Sequence, residues 1–219
     1  MDTKLIILTF APTVLILSYI ILADKFREPF SAIVKVFCLG VAITFFAGYF
    51  NGLLIPDNTN RSYLAGLTEE SLKYLVLYFY VKKQTFFDEP MDAIVYAVLI
   101  SLGFATIENY EYVTRYIEHG ETVAIMRAVS AVPLHAMCGV VMGYYFGIAN
   151  FHSVKNNYAK ALLIPMCIHA AYNFVAGYTF YLTTIFITIL FFYAKRLHQS
   201  FSAQQKNKTT EYEHKILKE

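Results

Sequence analysis

Charge is scarce in this chain. Asp, Glu, Lys and Arg make up 16% of its 219 residues, against about 25% in a typical soluble domain. Hydrophobic residues reach 57% and gather in long runs almost free of charge, so a soluble globular fold is excluded. Cysteine is scarce too. Cys38, Cys138 and Cys167 fall within apolar runs and no C-x-x-C occurs; they read as small buried hydrophobes and not as a disulfide framework. H-E-x-x-H is absent, as are phosphate loops, internal repeats, low-complexity tracts and nucleic-acid modules. No nucleic-acid partner and no appended soluble domain is expected. The net charge of +2 singles out no partner.

What the chain has is helix-length apolar runs. About 20 apolar residues span a bilayer as a helix, and seven such runs occur: Leu5–Ala23, Phe30–Leu54, Leu64–Val81, Asp92–Tyr116, Thr122–Asn150, Tyr158–Gly177 and Tyr178–Ala194. The last two are continuous and are divided at Gly177, where glycine permits a tight turn. The first is too long for the core of a signal peptide and lacks a small-residue cleavage site. Lys25, Arg27, Lys82, Lys83, Lys155, Lys160, Lys195 and Arg196 all fall on one side if seven helices alternate. The opposite side holds Lys4 and Arg61, with Arg115 and Arg127 near helix ends. The fold class is therefore an all-α polytopic membrane protein, a bundle of about seven transmembrane helices. By the positive-inside rule the N-terminus is outside and the C-terminus cytoplasmic. Residues 1–198 form the transmembrane domain and 199–219 a polar, solvated cytoplasmic tail. The lipid bilayer is a partner, and Gly139, Gly143 and Gly147 form a stripe for close helix packing.

The stretch G-L-T-E-E-S-L-K-Y, Gly66–Tyr74, places Glu69, Glu70 and Lys73 inside an apolar run. Ionisable groups at that depth face a protein interior or wet cavity and are functional by default. Counting along alternating helices, Glu69 and Glu70 lie roughly 8 Å below the outer surface and Glu108 roughly 12 Å at 1.5 Å per residue. His135 is near the middle of its helix; His169 and Asn173 sit at matching depth on the sixth. Six polar residues from four helices thus share the outer half of the membrane, as a buried hydrolytic site requires. Glu69 and Lys73 are i, i+4 and can pair, which leaves Glu70 as the carboxylate free for chemistry. The blander alternatives are that His135 is a hydrogen-bonded packing residue and that Glu108 partners Lys73 or Arg127. Asp92 reads as the N-cap of the fourth helix.

Four segments carry a resemblance. E-E-S-L-K-Y (Glu69–Tyr74), M-D-A-I-V-Y-A (Met91–Ala97) with S-L-G-F-A-T-I-E-N (Ser101–Asn109), P-L-H-A-M-C-G-V-V-M-G (Pro133–Gly143) and I-H-A-A-Y-N-F (Ile168–Phe174) occur in that order. Together they resemble the PrsW family of bacterial intramembrane proteases, from Asp24 through the sixth helix. The family is distantly similar to the CAAX-type prenyl-protein endopeptidases, whose pattern is E-E-x-x-x-R, F-x-x-x-H, H-x-x-x-N. Here Lys73 stands one residue earlier than that Arg, and Glu108 stands where that His would. The last motif of PrsW proteins often ends in Asp, where this chain has Asn173. The resemblance implies a multi-pass protein of the bacterial cell membrane. It further implies site-1 cleavage of a single-pass membrane anti-sigma factor, on the extracytoplasmic side, in an envelope stress response.

Two chemistries fit these residues. In one, Glu108, His135 and His169 bind Zn2+ and leave a position for water, with Glu69 or Glu70 as base. In the other, a glutamate activates water without metal, a histidine shuttles the proton and Asn173 helps hold the oxyanion. A CAAX-type prenyl-protein endopeptidase is the alternative enzyme. A proton-coupled membrane transporter is the alternative of another class, since buried glutamates, Lys73 and histidines also make proton relays; against it, no inverted repeat is visible.

Overall fold

The computed structural model describes residues 1–55 and 62–216, with side chains described through residue 209. Arg61, counted above among the outer-side charges, lies outside the described residues. The described elements are helices and turns. Eight α-helices follow in order: α1 (Thr3–Ala23), α2 (Phe30–Leu54), α3 (Ala65–Phe79), α4 (Pro90–Arg115), α5 (Gly120–Val129), α6 (Ala131–Phe151), α7 (Asn157–Ala176) and α8 (Phe180–Ile216). Among the described residues six spans are long and apolar enough to cross a membrane: α1, α2, α4, the α5–α6 pair, α7 and α8. Helix α3, at 15 residues, is shorter and carries the charged trio. These seven segments make up the expected membrane bundle, and the break expected at Gly177 separates α7 from α8.

Helix α4 is the centre of the bundle. Within its apolar span 83% of residues are buried, against 22% for α1 and 17% for α8. The outer helices turn Leu15, Leu22, Phe45, Phe46, Tyr181 and Phe192 outward, the surface a lipid-facing helix needs. Helix α6 reaches α4 through the predicted glycine stripe. A Cβ on Gly143 would lie 2.3 Å from the Ala93 carbonyl oxygen, and one on Gly139 2.9 Å from that of Ala97. Backbone touches backbone there, so the side chains of α6 near its start are held at fixed height against α4.

Two boundaries differ from expectation for physical reasons. The fifth run is not one helix; it breaks at Ser130 between α5 and α6. Pro133 has no N–H to offer the carbonyl of residue 129, and its ring clashes with that carbonyl in a continuous helix. Helix α4 is capped by Glu89, with Pro90 at its first position. Asp92 instead reaches back from the third position and accepts the backbone N–H groups of Asp88 and Glu89, both at 2.8 Å. At the other end of the chain, α8 continues past residue 199 to Ile216 and buries Phe201 and Gln205.

Candidate active site

Helix α3 brings three ionisable groups into the interior, and none of them reaches solvent appreciably. Glu69 is 4% exposed, Glu70 and Lys73 fully buried. The approach of α7 makes this possible. A Cβ on Gly66 would lie 2.8 Å from the Ala170 backbone nitrogen, so only glycine lets α3 come this close beside His169.

Lys73 pairs with Glu70, not with Glu69 as the i, i+4 spacing suggests. Lys73 Nζ donates to Glu70 Oε1 at 2.7 Å and lies 2.9 Å from His135 Nδ1. Its ammonium also sits 4.4 Å from the centre of the Phe104 ring, a cation–π contact. The same Glu70 oxygen accepts His169 Nδ1–H at 2.9 Å. Glu70 is therefore the held carboxylate of the pair, the reverse of the expected division. Glu69 is the loosely held one. Its Oε1 accepts the Asn51 amide at 3.3 Å, while its Oε2, which like that of Glu70 is buried without a hydrogen-bond partner, lies 3.7 Å from His169 Nε2.

Glu108 takes the structural partnership with Arg127. Arg127 Nη2 donates to Glu108 Oε2 at 2.7 Å and its Nε to Asn109 Oδ1 at 2.8 Å. His135 Nε2 lies 2.8 Å from the same Glu108 oxygen. With Lys73 donating to Nδ1, His135 carries its proton on Nε2 and donates it to Glu108. His169 is the complement: its proton is on Nδ1, toward Glu70, so Nε2 turns a lone pair toward Glu69. The two imidazoles meet edge to face with centres 5.0 Å apart.

Glu69, Glu108, His135 and His169 line one cavity of about 620 Å³, with Asn173 at its wall. Asn173 lines that cavity, but its described hydrogen bond points away from the carboxylates and imidazoles. Its amide donates to the Ser62 carbonyl at 3.1 Å and so ties α7 to the segment entering α3. Sequence reasoning missed Asn51 on α2 and gave Arg127 only as an alternative partner. Asn51 is a lone amide near the end of an apolar run, a signal of the same kind as Glu108. Thr68 orients it by donating its hydroxyl to the Asn51 side-chain oxygen.

The residues fit a metal ion. Glu69, His135 and His169 each offer a donor atom, all within 4.8 Å of one another. A buried carboxylate oxygen with no partner is costly unless something occupies it. Glu69 Oε2 and His169 Nε2 are free to ligate as they stand, and His135 joins by giving up one of its two hydrogen-bond partners. The set has the two-histidine, one-carboxylate composition of open metal sites, but its carboxylate is Glu69; the expected third ligand, Glu108, is paired with Arg127.

Comparison with known proteins gives the family. Residues 28–195 match the family described as PrsW family intramembrane metalloprotease. The chain is 38% identical to Protease PrsW of Geobacillus kaustophilus, over 75% of this chain and 76% of that protein. It is 37% identical to Protease PrsW of Bacillus subtilis, over 75% and 79% respectively. For Protease PrsW of Clostridioides difficile the identity is 32% over 80% of each. No solved structure matches. By these matches this multi-pass bacterial membrane peptidase, whose Glu69, Glu108, His135 and His169 line one cavity, belongs to the PrsW family of intramembrane metalloproteases.

Proposed function

We propose that this peptidase is the site-1 protease of a single-pass membrane anti-sigma factor, that it cuts on the extracytoplasmic side, and that Zn2+ is its metal. The observation that carries the chemistry is the unpartnered Glu69 Oε2, 3.7 Å from His169 Nε2. Two imidazoles and a carboxylate are donors that suit zinc. Glu69, His135 and His169 would hold it, and bound there it would acidify a water and polarise the scissile carbonyl.

The chain's own groups do the rest. Glu70 fixes the direction of the His169 ring by accepting from Nδ1, and Glu108 that of the His135 ring by accepting from Nε2; His135 Nδ1, which faces Lys73, is the nitrogen that would turn to the metal. Glu108 is the second carboxylate on the cavity wall. Arg127 and His135 hold its Oε2; Oε1 is left to take the proton of the attacking water and return it to the leaving amine. The apolar bundle around them keeps competing water out, which strengthens every charge interaction inside.

The sidedness rests on charge. Asn51 is near the end of α2, Glu69 near the start of α3, Glu108 in the last third of α4 and His169 near the end of α7. In alternating helices these positions share one half of the bundle. The clustered lysines at residues 25, 82, 83, 155, 160 and 195 belong to the other, and that side is cytoplasmic by the positive-inside rule. The anti-sigma substrate rests on the family resemblance of the four motifs.

The test is co-expression with candidate single-pass anti-sigma factors carrying epitope tags at both ends. Wild type is expected to release a shortened extracytoplasmic fragment, and Glu69→Gln to leave the substrate whole. Reporter fusions at Arg61 and Lys83 check the sidedness; an active cytoplasmic-type reporter at Arg61 would refute it.

A further inference from the structure

A second group of carboxylates lies at the far end of the bundle, where the α1–α2 connection, the start of α4 and α8 meet. Asp24, Glu28 and Asp92 each offer an oxygen, all within 4.8 Å of one another. Asp92 and Glu108 are 16 residues apart on α4, so about 24 Å of helix at 1.5 Å per residue separates this group from the active-site cavity.

Three features distinguish it from a solvated acidic patch. Asp24 is 5% exposed, and its Oδ2 is enclosed with no hydrogen-bond partner. Carboxylate oxygens of Glu28 and Asp92 lie within 4.8 Å of each other; two carboxylates so placed repel unless they share a proton or a cation. The surroundings hold the oxygens in place. The fully buried Tyr96 donates its hydroxyl to Glu28 Oε2. The Gln205 amide donates to Asp24 Oδ1 at 2.7 Å and to Glu89 Oε1. Asp92 is fixed by the two backbone N–H groups at the start of α4. Lys208 stands 3.8 Å from Glu89 and is 60% exposed, and the buried His198 lies near Asp24.

We propose that Asp24, Glu28 and Asp92 bind a hard divalent cation, Mg2+ or Ca2+, which clasps the α1–α2 connection and the start of α4 to the C-terminal part of α8. The donors are all oxygen, with no nitrogen or sulfur ligand among them, which selects hard ions over zinc. The occupied site neutralises the facing carboxylates. Gln205, bonded to Asp24, carries the effect to α8, so the cation orders the cytoplasmic end of that helix.

The test uses full-length protein in nanodiscs, stripped with a chelator, with the His169→Ala variant alongside to remove the active-site metal. Mg2+ and Ca2+ are titrated separately while thermal unfolding and hydrogen exchange are followed. Expected is a Tm rise of about 5–10 °C at a hundredfold excess over Kd, with slowed exchange at residues 199–209. Wild type and His169→Ala should respond alike. Asp24→Asn and Glu28→Gln should each abolish the response, while folding at least as well as ion-free wild type because repulsion is relieved. The proposal is overturned if neither ion shifts Tm or exchange in wild type, or if the shift survives both neutral variants. It is equally overturned if Asp92→Asn raises Tm while neither ion affects wild type, the signature of a carboxyl pair sharing a proton.

Discussion

Lys73 Nζ lies 2.7 Å from Glu70 Oε1, and neither side chain has any solvent exposure. Breaking a buried pair by removing one partner typically destabilises by about 3–5 kcal/mol, because the other charge is stranded. Lys73→Met is therefore expected to lower stability by about that amount and to abolish cleavage, because the stranded Glu70 no longer holds His169 Nδ1 in place. The double variant Lys73→Met/Glu70→Leu should recover part of the stability but none of the activity. Thermal unfolding in detergent beside a cleavage assay separates the two effects. A single variant as stable as wild type would show that the pair does not hold this site.

The glycine contact between α6 and α4 has a similarly local consequence. A Cβ at Gly143 would come within 2.3 Å of the Ala93 oxygen, whereas one at Gly48 meets nothing within 4 Å. Overpacking of this kind costs about 1–3 kcal/mol, and Ala is favoured over Gly inside a helix by up to about 1 kcal/mol. Gly143→Ala should thus lower Tm by several degrees and Gly48→Ala leave it equal or higher. Equal Tm values for both variants would contradict the packing described.

Arg127 anchors Glu108 while its Nε engages Asn109, whose own amide reaches the Thr9 carbonyl at 2.6 Å. The guanidinium also stacks 4.1 Å from the Tyr112 ring. Arg127→Lys keeps the charge but not the two-pronged geometry. Cleavage is expected to fall about tenfold or more in Arg127→Lys and further in Arg127→Ala. Unchanged kcat in Arg127→Lys would remove Arg127 from the positioning of Glu108.

Much of this site was legible in the sequence because membrane interiors make polar residues conspicuous. Glu69, Glu70, Lys73, Glu108, His135 and His169 stood out as isolated groups in apolar runs, and helix alternation put them at one depth. The bundle was legible for the same reason, down to the break at Gly177. What spacing could not decide was the partner of Lys73. Both i−3 and i−4 residues lie within reach of a lysine, and the choice is made by tertiary neighbours: His135 and Phe104 draw the ammonium toward Glu70. The reversal of the held and loose carboxylates of the Glu69/Glu70 pair follows from that choice, and the pairing of Glu108 with Arg127 leaves Glu69 as the candidate ligand. Arg127 was obscured because a basic residue near a helix end reads as a topology marker. The break at Ser130 was signalled by Pro133 but hidden by the continuous apolar run around it.

The metal reading separates residues that a cleavage assay alone would group together. Purified wild type is expected to hold one equivalent of zinc. His169→Ala and Glu69→Gln should lose it, and Glu108→Gln should keep it while failing to cleave. Elemental analysis of the four proteins reads this directly. Zinc retained in Glu69→Gln but lost in Glu108→Gln would restore Glu108 as the ligand and reverse the assignment.

The central claim is that Glu69, and not its neighbour, faces the reacting atoms. The most direct measurement is the initial cleavage rate of a co-reconstituted substrate by Glu69→Gln in liposomes, with Tm taken on the same preparation. The expected result is a loss of at least about 100-fold with Tm within a few degrees of metal-stripped wild type, since among the described residues the Glu69 side chain makes one long hydrogen bond, to Asn51 at 3.3 Å. A Glu69→Gln protein that cleaves within a few-fold of the wild-type rate would contradict the account.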